Sequence, residues 1–281
     1  AIYFLAGARD VIGQAFVLLG VLMFGANIML IAQTYNINAH FPDGMMLWSV
    51  GALAAAVIAP SRAALAATLV LGCIWTWQEY QYFDVVLHIP FLFLWAACAA
   101  LALVFAWRPG VHLTIIAFLF WFVLNTEGLA HLIGWTEVES VTIYIFAPLA
   151  IWGLLQLLDG RGNAFSITGG HYAFFVFLSS YAALHFAAAG EESPSTSWLI
   201  FALTTSGVAL AAGFVGAARK VISGVDVLGI AFACVTTIAY VLAAHKGDHA
   251  LDVPYLALTL IVILWSLQRG VRTDDRFVIN L

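Results

Sequence analysis

The chain has 281 residues, of which 64% are hydrophobic and only 9% are charged. A soluble domain is about half apolar and about a quarter charged, so this composition excludes an ordinary water-soluble fold. The net charge of −5 comes without a basic patch, and no nucleic-acid partner is expected. The lipid bilayer is therefore the expected solvent and partner of the chain.

Ten apolar segments follow one another along the sequence. They cover residues 12–34, 45–59, 63–79, 89–107, 111–127, 139–158, 171–189, 197–218, 225–244 and 253–268. Most are long enough to cross ~30 Å of hydrocarbon as helices, and they lack the alternating pattern of an outer-membrane barrel. We predict an all-α, polytopic integral membrane helical bundle with about ten transmembrane helices. It is expected to be a single transmembrane domain over residues 1–281, incomplete at both ends.

The basic residues lie unevenly on this topology. With ten spans, nine of the ten Lys and Arg residues fall on one side, and only Lys246 falls on the other. This is the positive-inside pattern, and it predicts that both ends are cytoplasmic. Most acidic residues fall on the opposite side, so the outer face is expected to be anionic.

Histidines and carboxylates share several of the predicted outer connections. Imidazole and carboxylate together are typical ligands of zinc and similar divalent ions, and histidine also suits proton relay. The alternatives are polar interfacial loops without a site, or a surface that binds a partner. The candidate metal ligands are His40, Asp43, Glu79, Asp84, His88, Glu127, His131, His245, Asp248 and His249.

Motifs of catalysis are missing from the sequence. There is no HExxH pattern and no paired Cys/His spacing, and Cys73, Cys98 and Cys234 all lie in apolar runs, where they are expected to pack as small apolar residues. No catalytic residue is identified, and an enzyme is the least favoured class.

Uncharged polar residues occur inside or at the ends of the predicted spans, whereas charged residues do not occur in mid-span. Such residues either make hydrogen bonds between packed helices or line a path for a substrate. The absence of mid-span charges argues against a simple proton-driven mechanism. The candidate path or packing residues are Asn27, Gln33, Asn36, Asn38, Thr204, Thr205, Thr236 and Thr237.

The connection after the first segment admits two interpretations. Residues 35–38 read YNIN and interrupt the apolar pattern, and a short segment resumes after Pro42 and Gly44. A broken helix of this kind marks binding regions in transporters. An ordinary outer hairpin, with Asn and Gly as turn residues, explains the pattern equally and is favoured.

One stretch resembles a known family. Residues Phe24 to Trp77, which read FGANIMLIAQTYNINAHFPDGMMLWSVGALAAAVIAPSRAALAATLVLGCIWTW, are similar to bacterial predicted inner-membrane proteins of domain-of-unknown-function family 2157. A weaker likeness lies at GVRTDDRFVINL, Gly270 to Leu281. The resemblance implies a multi-pass protein of the bacterial cytoplasmic membrane with further helices beyond both ends. It implies no activity.

Two functions fit these observations. The first is a transport or permeation protein with an acidic, His-bearing outer face and a path lined by Asn27, Gln33 and the threonine groups. The cofactor is unknown, and a divalent metal at the outer face is the candidate. The alternative is a non-catalytic membrane subunit or scaffold that assembles with other membrane-protein subunits.

Overall fold

The computed structural model describes residues 11–36, 40–159, 164–187, 193–245 and 252–273. These residues form helices joined by short connections, and no β-strand occurs among them. The all-α class is confirmed. The chain divides into two compact units, Ala1–Leu129 and Ala130–Leu281. A single domain over the whole chain stays a prediction.

Unit 1 (Ala1–Leu129) is built from long helices. They are α1 (Val11–Thr34), α2 (Pro42–Ile58), α3 (Arg62–Phe83), α4 (Pro90–Val104) and α5 (Arg108–Leu132), of which the last turn falls outside the unit. The α2 helix packs along α3, α1 contacts both, and α4 packs against α3.

The described residues of unit 2 (Ala130–Leu281) form one short helix and five long ones. They are α6 (Glu137–Val141), α7 (Ile143–Asp159), α8 (Ala164–Ala183) with a 3-10 turn at Leu184–Phe186, α9 (Thr196–Ala218), α10 (Gly224–Ala244) and α11 (Asp252–Thr273). The α7 helix packs against α8 and α9, α10 packs against α9 and α11, and α11 also contacts α8.

Local sequence signals set where several helices begin. Pro42 and Pro90 start α2 and α4, where the fixed φ of proline suits the first helical position and its missing N–H costs nothing. Ser61, Ser195 and Ser223 cap α3, α9 and α10, and each side chain accepts a backbone N–H of the first turn. These caps satisfy donors that have no partner within the helix.

The ten predicted segments correspond in order to the helices, with α6 and α7 together forming the sixth. Among the described residues, six helices are long and apolar enough to cross a membrane: Val11–Thr34, Arg108–Leu132, Glu137–Leu158, Thr196–Ala218, Gly224–Ala244 and Val253–Thr273. Two more apolar helices, Pro42–Ile58 and Pro90–Val104, are shorter. A helical membrane bundle fits, and the number of ten spans stays a prediction.

The α1 and α2 helices pack antiparallel against one another. Trp48 of α2 lies against Gly25 of α1, where a Cβ atom would stand only 2.0 Å from the indole ring. Its Nε1 donates to the carbonyl of Val21 at 2.8 Å. One turn further along α2, Gly51 receives the ring of Phe24. The two helices therefore run back along one another, as the favoured interpretation of this stretch requires.

The core of unit 2 is aromatic. Five of its largest side chains, Trp152, Phe174, Phe177, Tyr181 and Trp198, are at most 1% exposed. Their rings form a chain of close contacts from Trp152 through Phe174 and Phe177 to Tyr181. This core holds the ends of its helices, where the polar groups lie, in fixed positions.

Candidate functional site

Three of the predicted metal ligands converge in unit 1. His40 Nδ1 lies 3.2 Å from Asp43 Oδ1, and His40 Nε2 lies 3.2 Å from Glu79 Oε2. One donor atom from each of the three residues lies within 4.8 Å of the others. Asp43 is exposed and His40 is half-buried, whereas Glu79 is only 7% exposed. We call these three residues the outer cluster, after the predicted orientation.

Two helix ends bring the outer cluster together. His40 lies two residues before the start of α2, and its carbonyl accepts the backbone N–H of Asp43 at 3.1 Å. Glu79 lies near the end of α3, which continues to Phe83 rather than ending at residue 79 as the apolar pattern suggested. Asp84 closes the helix in a left-handed conformation at φ 51°, and its N–H bonds to the carbonyl of Glu79. The packing of α2 on α3 places the two ends side by side.

Aromatic rings pack beside His40 in the outer cluster. The ring of Phe83 lies 3.9 Å from that of His40, measured between centroids. Phe41 contacts Phe83 and Tyr82 at 5.5 and 5.2 Å. These rings shield His40 from water on one side, so charges in the cluster interact more strongly than they would in bulk solvent.

A second layer of hydrogen bonds supports Glu79. Its Oε1 accepts the indole N–H of Trp75 at 3.1 Å, which leaves Oε2 directed at His40. The same indole meets the ring of His88 edge-on at 4.4 Å. His88 Nδ1 lies 3.0 Å from the hydroxyl of Thr76. Trp75 therefore fixes Glu79 and links it to a buried histidine.

His88 is held in the α3–α4 connection by its backbone. Its N–H donates to Asn125 Oδ1 at 2.5 Å, and its carbonyl accepts the indole N–H of Trp121 at 2.8 Å. The side chain is 4% exposed. This burial lowers the pKa of His88 to about 4, because a charged imidazolium loses hydration there. His88 is therefore neutral at physiological pH, and it supports the outer cluster through its contact with Trp75.

The other predicted ligands do not join the outer cluster. Asp84, Glu127 and His131 are exposed. His245 is buried in unit 2, with Nε2 3.4 Å from the hydroxyl of Thr136. Asp248 and His249 lie outside the described residues.

His245 belongs to a separate polar group of unit 2. Glu139, 1% exposed, accepts the N–H groups of Ser195 and Thr136 at 2.7 and 2.8 Å. The hydroxyl of Thr136 reaches His245, whose Nδ1 lies 2.9 Å from the carbonyl of Val241. These bonds join the start of α6 to the start of α9 and to the end of α10. They stabilise the fold of unit 2.

The candidate path residues in unit 1 face outward. Asn27 is exposed and donates to the carbonyl of Met23 at 2.8 Å within its own helix. Gln33 is exposed, and so is Asn36, which has a positive φ of 48°. Asn38 lies outside the described residues.

The threonines of unit 2 differ between the two helices. Thr204 is exposed and Thr205 is half-buried, and both bond to carbonyls of α9. Thr236 and Thr237 are buried in α10. The Thr236 hydroxyl lies 2.7 Å from that of Tyr181 on α8, an interhelical hydrogen bond.

Sequence reasoning missed an ion-pair group at the opposite end of unit 2. Asp226, 3% exposed, lies 2.6 Å from Arg272 and 4.0 Å from Arg269. The guanidinium of Arg269 stands over the ring of Trp152, 4.8 Å from its centroid. The (i, i+3) spacing of the two arginines was visible in the sequence, but their pairing with Asp226 depends on how α10 packs on α11.

The comparisons with known proteins agree with the sequence resemblance. No curated protein and no solved structure matches the chain. The match to a family covers less than a quarter of the chain and includes α1, α2 and the start of α3. The model of the family described as "Predicted membrane protein (DUF2157)" matches residues 1–65, which confirms the resemblance found in this part of the sequence.

Proposed function

We propose that this membrane protein is a transport or permeation protein that takes up a divalent metal ion at its outer face. The observation that supports the proposal is the convergence of His40, Asp43 and Glu79 from two separate helix ends. Imidazole nitrogen and carboxylate oxygen are the ligand types of zinc and other first-row divalent ions. Glu79 is far from His40 and Asp43 in the sequence, so its contact with them does not follow from proximity along the chain.

Charge favours a divalent ion. Two carboxylates would balance the charge of the ion, and Glu79 gains most, since a buried carboxylate needs a compensating partner. One ion takes only one of the two nitrogens of His40, so it would replace one of the two 3.2 Å contacts between His40 and the carboxylates. One donor atom from each of the three residues lies within 4.8 Å of the others, and bonds of ~2.0–2.2 Å to a tetrahedral ion would draw neighbouring ligand atoms to about 3.4 Å.

The alternative function is a non-catalytic subunit or scaffold of a larger membrane complex. The observation that favours it is the exposure of α1. Only 11% of the apolar stretch of this helix is buried. Such a helix contacts either lipid or the helices of other subunits. In this alternative the outer cluster fastens the start of α2 to the end of α3 and does not pass an ion onward.

Calorimetric titration of the purified full chain with ZnCl₂ and with MnCl₂ tests the site. We expect one ion per chain. His40→Ala and Glu79→Gln should each weaken binding roughly 10–100-fold or more, since even outer partners of metal ligands cost that much. Glu127→Gln, at an exposed carboxylate of the same unit, should leave binding unchanged. Absence of binding, or equal losses in all three variants, would overturn the proposal.

Flux separates transport from the alternative. The chain would be reconstituted in vesicles that enclose a metal-sensitive dye, and the same ion would be added outside. Uptake that is lost in Glu79→Gln and kept in Glu127→Gln supports transport. Binding without any flux, together with a membrane partner that copurifies at fixed stoichiometry, supports the subunit.

A further inference from the structure

An open groove runs between α10 and α11 of unit 2. It has a volume of about 680 Å³. Its walls are almost entirely apolar, and they include Leu228, Phe232 and Val235 on α10 and Ile261 and Leu264 on α11. Leu228 is 70% exposed and Leu264 is 65% exposed. Both helices are long and apolar enough to span the membrane, so the groove is expected to open toward lipid.

A tryptophan forms part of the groove wall. Trp265 lines the groove and covers Gly229, where a Cβ atom would stand 2.2 Å from the indole. Trp265 is 8% exposed, and its Nε1 atom is buried and shielded from the groove. The indole therefore contributes an apolar surface to the wall.

One end of the groove carries positive charge. Gln268 lines the groove at this end, and Arg272 follows it one turn later on α11. Arg272 is half-buried and reaches Asp226, the neighbour of the lining residue Val225.

The same end of the unit is cationic as a whole. Its described residues also include Arg269 and the exposed Arg219 and Lys220, which precede α10. Together with Asp226 and Arg272, the charges of these described residues sum to a positive value. An apolar groove that ends among cations is complementary to an acyl chain joined to a phosphate.

We infer that the α10–α11 groove is a binding site for an anionic phospholipid. One acyl chain lies between Leu228 and Leu264, and the phosphate lies beside Arg272. Anionic lipids favour the cytoplasmic leaflet, and this end of the unit is the one predicted to be cytoplasmic. This site is independent of the outer cluster.

Native mass spectrometry of the full chain tests the inference. The protein would be equilibrated with equal amounts of dioleoyl phosphatidylglycerol and dioleoyl phosphatidylcholine. We expect phosphatidylglycerol adducts to exceed phosphatidylcholine adducts about fivefold, which corresponds to the ~1 kcal/mol that one cation contributes at an anionic surface. Equal binding of the two lipids would overturn the inference.

Variants separate the contribution of the groove from that of the charge. Leu228→Trp fills the groove and should reduce adducts of both lipids. Val70→Trp, at a 51% exposed position in the apolar groove of unit 1, is its control and should not. Arg272→Gln should remove the headgroup preference, and Arg272→Lys should keep it. Equal losses in the two tryptophan variants, or a homodimer that Leu228→Trp dissociates, would overturn a lipid as the occupant.

Discussion

His40 Nε2 lies 3.2 Å from Glu79 Oε2 and thereby joins the segment before α2 to the end of α3. A truncated side chain at position 40 leaves the buried Glu79 with Trp75 as its remaining side-chain partner in the described part of the chain. In a double-mutant cycle of His40→Ala and Glu79→Gln, we expect a coupling of about 1 kcal/mol in the free energy of unfolding. Denaturant unfolding in detergent without added metal measures it.

The control cycle pairs His40→Ala with Glu127→Gln, an exposed carboxylate outside the cluster. The effects of these two substitutions on the free energy of unfolding should be additive. A His40/Glu79 coupling that is no larger than the scatter of the control, about 0.3–0.5 kcal/mol, would show that the contact does not stabilise the fold.

Trp75 positions Glu79 for a metal. The indole N–H holds Oε1 at 3.1 Å, so Trp75→Phe keeps most of the packing and removes this bond. We expect metal affinity to fall roughly tenfold, as for other outer partners of metal ligands. Calorimetric titration measures the loss, and Trp77→Phe, at an exposed tryptophan two residues further along α3, serves as the matched control. An unchanged affinity in Trp75→Phe would contradict a positioning role.

The packing of α1 against α2 depends on the absence of a side chain at Gly25. Gly25→Ala would place a Cβ atom 2.0 Å from the ring of Trp48, whose Nε1 is fixed by Val21. We expect a loss of about 2 kcal/mol in the free energy of unfolding, since overpacking costs ~1–3 kcal/mol. Gly20→Ala in the same helix has no atom within 4 Å of the new Cβ and should cause no loss. Thermal unfolding of the two variants compares them directly, and equal stability would mean that the helices separate readily.

Sequence patterns could predict the helices but only part of the outer cluster. Apolar run length placed the helical segments in the correct order, because the bilayer requires long apolar helices. His40 and Asp43 could be associated from their spacing along the chain. Their meeting with Glu79 could not be predicted, because it depends on the packing of α2 on α3 and on the extension of α3 to Phe83.

The residues that support the outer cluster were also only partly predictable from the sequence. Trp75 precedes Glu79 by four residues in one helix, and this spacing places both on one face. That signal was available in the sequence. Asn125 and Trp121 gave no such signal, since they reach His88 from another helix.

The burial of His88 makes stability depend on pH. Its pKa is lowered to about 4 in the folded protein, whereas an unfolded histidine titrates near 6.5. As the pH falls from 6.5 to 4, the unfolded chain takes up a proton that the folded chain does not bind. The folded state therefore loses stability over this window, by up to about 3 kcal/mol, and the contribution is constant above it.

His88→Gln removes this titration and leaves in place the backbone bonds to Asn125 and Trp121. We expect the wild type to lose stability relative to the variant between pH 6.5 and pH 4, and the two profiles to run parallel above pH 7. Denaturant unfolding of both proteins in one detergent over this range measures the difference. Parallel profiles throughout would mean that the folded protein compensates the imidazolium of His88 for its lost hydration. A wild type that gains stability relative to the variant on acidification would mean that His88 binds its proton more tightly when folded.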